Sequence, residues 1–196
     1  QFSVQIADSC FLRNDYQDSV RYKIAHCKLG AKKYVYSDLN FFFLKEMVEQ
    51  ITGMPMDQYL QDNFYQPMGL RFTCFNPLRN GFSKNDIAPT ELDTLFRHQI
   101  VEGYVHDQTA ALFDGNAGNA GLFSTATEIA TIFQMLMDGG IYQGQRYLSE
   151  KTVRFFTKTY SIHGCNRRAL GFDTPCFAKP NGVLPSMASN KTYGHQ

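Results

Sequence analysis

The sequence contains no tryptophan, no Cys-x-x-Cys pair and no long apolar run. No stretch approaches the roughly 18 to 20 consecutive apolar residues that a membrane-spanning helix needs. Neither sign of charge dominates. The formal net charge is +1, which gives no reason to expect a nucleic-acid groove or an anionic membrane as partner. The five cysteines, Cys10, Cys27, Cys74, Cys165 and Cys176, are odd in number and widely spaced. A zinc or redox motif is therefore unsupported, and most of them are expected as free thiols in or near the core. No cofactor or metal site is indicated. Internal repeats, low-complexity tracts and a Gly-x-Ser-x-Gly nucleophile elbow are also missing. Strands and helices do not alternate along the chain, which makes it a poor match to a doubly wound parallel sheet.

What is present suffices for a core. Apolar residues make up 43% of the chain, with 17 Phe and 11 Tyr, enough for one domain spanning residues 1 to 196. The first residue is not methionine, and "YGHQ" closes the chain. Both ends read as cuts in a longer domain. "DYQDSVRYKIAHCKL" holds one short helix, with Val20 and Ile24 four apart. From Leu39 the apolar period is helical, with Leu39, Phe43, Met47 or Val48, and Ile51 on the inward face. Ser37 and Asp38 can cap its start, and Gly53 can end it in a left-handed conformation. Lys45 and Glu49 form an i,i+4 pair expected on its solvated side. Pro55 suits the first turn of a second helix, through about Asn63. Residues 71 to 94 read as loop, and "RHQIVEGYV" as a short strand. "DGNAGNAGLFS" leads into a third helix, with Thr125 and Glu128 as a capping box and Ile129, Phe133, Leu136 and Met137 inside. Gly139 and Gly140 end it. Ser149 caps a fourth helix with Val153 and Phe156 inward. "RRALGFDT" and "NKTYGHQ" read as short strands. The fold class is α+β, predominantly helical.

Tyr36, Ser37 and Asp38 carry the most chemistry. Tyrosine ordinarily ionises near pH 10, too high for a neutral-pH base. A helix N-terminus favours nearby negative charge, and a neighbouring lysine would lower the pKa further. Such a tyrosine can take a proton from a serine nucleophile. Asp38 can point a polar group into the same cleft. The plain alternative is a capped helix N-terminus. His106-Asp107 could orient a loop or form a hydrogen-bonded loop pair; no third ligand stands at a metal-supporting spacing. "GNAGNAG" lacks the Gly-Lys-Ser/Thr ending of a phosphate-binding loop. It reads as a tight turn near the cleft, with Asn119 a lining residue. His26, His98 and His163 read as surface or structural.

"YVYSDLNFFFLKEMVEQITGMPMDQYLQDNFYQPMGL" resembles the Tyr-x-Asn segment of the serine beta-lactamase-like family, which includes class C beta-lactamases, penicillin-binding proteins or DD-peptidases, and esterases. The resemblance continues through "GNAGNAGLFSTATEIATIFQMLMDGG", "YLSEKTV", "LGFD" and "TYGHQ", covering residues 34 to 196 in the family's order. His106-Asp107 resembles a His-Asp pair of some members. The resemblance implies the helical subdomain of the beta-lactamase/transpeptidase-like fold with a few short strands. It implies that Tyr36 is the general base and that Asp38, with Ser37 beside it, occupies the substrate-binding asparagine's place. It also implies that His195 opens the third motif, on a strand facing the tyrosine across one groove and helping to bind the substrate carboxylate. Three departures stand out. Asp38 places a carboxylate where a neutral amide is usual, which would repel an anionic substrate unless protonated or paired. Gln196 replaces Thr or Ser. No lysine has a serine or threonine three residues before it, so the Ser-x-x-Lys nucleophile is expected N-terminal to Gln1.

The implied activity is serine acyl transfer on cell-wall-derived peptides, small esters or beta-lactams, outside the cytoplasm, with this chain alone inactive. A fusion to a family 3 glycoside hydrolase fits the resemblance. Self-association through apolar surface is a further expectation. The alternative is a non-catalytic module of the same fold that binds peptidoglycan fragments or a protein.

Overall fold

The structure is a computed structural model that describes residues 1–28, 30–33, 35–163, 166–175, 189 and 191–195. The chain divides into two compact units, Gln1–Ile129 and Ala130–Gln196.

The first unit opens with an antiparallel hairpin of β1 (Phe2–Ala7) and β2 (Cys10–Arg13). Burial rises along β1, from the exposed Phe2 to the buried Ile6 and Ala7. Helix α1 (Tyr16–Ala25) follows, and its Val20 and Ile24 pack on the core as the spacing predicts. Helix α2 spans Leu39–Thr52 and ends on Gly53 at φ +68°, where a side chain would be strained. Helix α3 (Met56–Leu60) widens into a π-turn at Gln61–Tyr65. Residues 71 to 94 are more ordered than a loop. They contain β3 (Cys74–Phe75), two 3-10 turns and β4 (Glu91–Asp93). β4 pairs with β5 (Gln99–Val101). Helix α4 (Gln108–Leu112) and β6 (Leu122–Phe123) come next, and β6 pairs antiparallel with β3.

Ile6, Phe42, Val105, Ala110, Ala111, Phe113 and Ala117 form this unit's core. Phe42 stacks on Phe113 with ring centroids 4.6 Å apart. The period of α2 matches the sequence reading, but its phase does not. Phe42 is the buried residue, whereas Leu39, Phe43, Met47 and Ile51 are exposed, Ile51 by 80%. Lys45 and Glu49 lie correspondingly inward. They pair at 2.8 Å, with side chains only 12% and 27% exposed, and Glu49 Oε1 accepts the Met56 N–H at 3.0 Å. The run Phe41-Phe42-Phe43-Leu44 is apolar all round, so the side that packs is chosen by what Ile6 and Phe113 offer it, not by the helix itself.

Helix α5 covers Ala126–Met137. Its buried residue is Met135; Met137, expected inward, is exposed. Thr125 caps it, accepting the Glu128 N–H at 3.3 Å. The Glu128 carboxylate holds the N–H groups of Arg71 and Phe72 and the Thr73 hydroxyl.

In the second unit, β7 (Ile141–Tyr142) and β8 (Gln145–Arg146) form a hairpin. Gln143 and Gly144 turn it with φ of +48° and +80°, the backbone that matches strand twist in a two-residue turn. Helix α6 (Glu150–Thr157) starts at Ser149, whose Oγ accepts the Thr152 N–H at 3.0 Å. Val153 is buried there, but Phe156 is exposed. β9 (Ser161–His163) pairs with β10 (Asn166–Arg168). The stretch expected as a strand before His195 makes an isolated bridge between Gly194 and Asp173.

Every sheet among the described residues has two antiparallel strands, an α+β arrangement richer in helix than in strand. No described helix is long and apolar enough to cross a membrane. Cys10 packs on the core, Cys74 is half-buried and Cys27 is exposed; all three are free thiols. Cys165, Cys176 and Gln196 lie outside the described residues.

Candidate active site

Tyr36 precedes α2 by three residues and is 51% exposed. Ser37 Oγ accepts the Leu39 N–H at 3.3 Å, satisfying one of the donors that a helix start leaves without intrahelical partners. Asp38 is the N-cap residue, yet its side chain makes no capping bond. Its backbone carbonyl accepts the Phe41 N–H at 2.9 Å. Asp38 is half-buried.

The glycine-rich loop meets α2 one turn further on. A Cβ at Gly118 would lie 2.2 Å from the Phe41 carbonyl oxygen, so only glycine allows this approach. Asn119 follows directly. Its Nδ2 donates to Asp107 Oδ1 at 3.3 Å, and its own Oδ1 is buried without a partner among the described residues. Asp107 is the N-cap of α4; its Oδ1 also accepts the Ala110 N–H at 2.6 Å. The Tyr36–Ser37–Asp38 triplet and the Asn119 loop are thus anchored to the same helical turn. His106 is exposed and stands 3.4 Å from Glu91; Asp107 is the member of that pair that ties the loop.

Sequence reasoning missed Arg97. It is 4% exposed. Its Nε donates to Asp93 Oδ2 at 2.8 Å, its Nη1 to the Val105 carbonyl at 2.6 Å, and its Nη2 to the His106 carbonyl at 2.8 Å and to Glu91. Asp93 is buried as well. Burial pushes its carboxyl pKa up, but the Arg97 bond and the Phe96 and Leu95 N–H groups outweigh this and hold it well below the usual carboxylate range. The signal was present in "ELDTLFR", two acids and an arginine within seven residues, but only the β4–β5 hairpin turns them toward one another.

His195 belongs to the second unit and is exposed. Just before it, Lys191, Thr192 and Tyr193 line an open hollow with Thr157, Thr159 and Thr174. Tyr36 and His195 fall in different units. Among the described residues no group of three or more His, Cys, Asp or Glu could hold a metal ion.

The family model described as Beta-lactamase matches residues 7–196. A protein of Escherichia coli O157:H7 provisionally named D-alanyl-D-alanine carboxypeptidase is 36% identical over 179 residues, covering 83% of this chain and 40% of that protein. A provisionally so-named protein of Salmonella agona is 37% identical with the same coverage. The chain therefore spans about two fifths of the length of these curated relatives. Among solved structures, a penicillin-binding protein homologue from Caulobacter crescentus superposes with a TM-score of 0.59 at 14% identity, covering 92% of this chain and 52% of that one. The D-amino acid amidase of Ochrobactrum anthropi complexed with D-phenylalanine gives 0.56 at 18% identity, covering 83% and 50%. These likenesses carry the fold, beta-lactamase/transpeptidase-like.

Proposed function

Because the chain belongs to the beta-lactamase family, we propose that it forms part of a serine acyl-transfer hydrolase resembling a DD-carboxypeptidase, with Tyr36 as general base. The observation that carries this reading is the open mouth of α2, where Tyr36 and Asp38 stand over a turn clamped by the Asn119 loop. A serine hydroxyl would lose its proton to the Tyr36 phenolate as its oxygen attacks the substrate carbonyl. The leaving amine or alcohol would depart with a proton, and water would then release the acyl group. No Ser-x-x-Lys occurs in the 196 residues, so the nucleophile is assigned to a segment outside them. That segment's lysine would favour the phenolate.

His195 is proposed to bind the substrate carboxylate, and Ser37 and Asn119 are proposed as further substrate-binding residues. The relatives' names support a peptide ending in D-alanine as the substrate class, handled outside the cytoplasm. Asp38 favours a second reading, a non-catalytic module that binds peptidoglycan fragments or a protein partner, because a carboxylate replaces the neutral amide usual at that place in the family's enzymes.

Labelled penicillin followed by mass spectrometry separates the readings. The 196-residue chain forms no acyl adduct. A longer protein bearing an upstream Ser-x-x-Lys forms one on that serine, and Tyr36→Phe slows it by about 10²- to 10⁴-fold, the usual weight of general base catalysis. An adduct on a serine of this chain, or an unchanged rate in Tyr36→Phe, overturns the proposal. Penicillin binding by the longer protein without any adduct favours the binding module.

A further inference from the structure

We infer that Arg97 is a positioning residue for the candidate active site, acting on Asn119 through Asp107; the inference rests on the proposed reading of that site. Arg97 is buried, and each of its three guanidinium nitrogens is engaged. On one side it meets the carboxylates of Asp93 and Glu91. On the other it meets two successive carbonyls, Val105 and His106. Those carbonyls immediately precede Asp107. A planar fork that fixes two consecutive peptide units fixes the direction in which the next residue leaves them. Asp107 leaves toward Asn119 and the first turn of α4. Asn119 follows Gly118, which is pressed on the Phe41 carbonyl, and the Phe41 N–H is bound to Asp38. An unbroken line of direct contacts thus runs from the β4–β5 hairpin to the turn that presents Tyr36 and Asp38.

The Asn119 Oδ1 at the end of this line is buried without a partner among the described residues. A buried acceptor without a donor is costly and persists only where its surroundings hold it in place. Within the loop, the Ala117 N–H donates to the Ala120 carbonyl at 3.3 Å, a bond that does not reach the Asn119 side chain. The partner of its amide is Asp107, which is held by the Ala110 N–H on its side chain and by Arg97 on the two carbonyls before it.

The test uses the whole 196-residue chain and nuclear magnetic resonance. Arg97→Lys keeps the charge but loses the fork. The Asn119 side-chain NH₂ resonances should then move toward those of free asparagine. The Ala110 and Ala117 amides should exchange at least 10-fold faster, while those of α3 stay within about twofold. Asp107→Ala should reproduce the Asn119 change with Arg97 intact, and the double variant should go no further. If Arg97→Lys does not fold, Glu91→Gln, which loosens one carboxylate only, should shift the same Asn119 resonances by less. Unchanged Asn119 resonances in a folded variant, additive effects, or equal acceleration in α3 would overturn the inference. None of these readouts involves acyl transfer, so the inference and the proposed chemistry can fail separately.

Discussion

Asp93 and Tyr65 shift in ways that predict opposite pH dependences. Asp93 is held ionised by Arg97 and two backbone N–H groups despite its burial. Its folded-state pKa lies below the unfolded value of about 3.9. The folded state therefore binds fewer protons than the unfolded state in that range, and the stability this gives is present above about pH 4 and lost as pH falls further. Melting followed by circular dichroism should show a steep acid loss in the wild type and a shallower one in Asp93→Asn, from a lower starting stability. Tyr65 is the reverse case. Burial, and to a lesser degree the neighbouring Cys74, pushes its phenol up to about 12. The unfolded phenol ionises near 10, so stability is full below about pH 10 and declines from there to pH 12. Tyr65→Phe should remove that part of the alkaline decline in the same measurement.

At the scale of elements, α2 separates a packed side from an open one. Phe42→Ala empties a stacked, buried site and should cost about 3–5 kcal/mol in urea unfolding. Met47→Lys, on the open side, should stay within about 0.5 kcal/mol. The Gly118 loop admits no side chain, because the atom it would strike is backbone. Gly118→Ala should cost about 1–3 kcal/mol by overpacking and should disturb Asp38 and Asn119 together in the same spectra. Much of this was legible in the sequence. The bounds of α2, the left-handed Gly53, the Ser149 cap and the glycine stop after α5 all follow from local chemistry. The inward side of α2 was not legible, since both sides are apolar and the choice depends on Phe113, about seventy residues away. The β3–β6 pair was hidden for the same reason: Cys74 and Phe123 are each ordinary until they meet. The β1–β2 hairpin turns on Asp8 and Ser9, without the Asn-Gly or Asp-Gly that announces such a turn. Of the candidate site, the Tyr36 triplet and Asn119 were readable as motifs, whereas Arg97 was not, because a buried arginine declares itself only through its partners.

For the whole molecule, exposed apolar side chains recur in separate places. Leu92 and Ile100 sit opposite one another on the outward face of the β4–β5 hairpin, with Leu95 exposed at its turn. Met47 and Ile51 add a second such area. Scattered apolar residues are normal on a surface, but contiguous groups promote association. Sedimentation velocity should show mass rising with concentration, and the combined change of Met47, Ile51 and Leu95 to lysine should keep the chain monomeric at the same loading.

The π-turn at Gln61–Tyr65 bears on how chains of this kind can change in length. Its Gln66 N–H reaches back five residues to Gln61, enclosing one residue more than an α-helical turn does. Everything after it is therefore set about 100° away from where an uninterrupted helix would carry it. Tyr65, Met68 and Leu70 are buried in that rotated frame. Removing one residue between 61 and 65 would relax the turn to ordinary helix and swing all three away from their places, although no buried side chain had been touched. A one-residue deletion here is thus a change of direction, and in related chains it is tolerable only where the apolar positions that follow have moved with it.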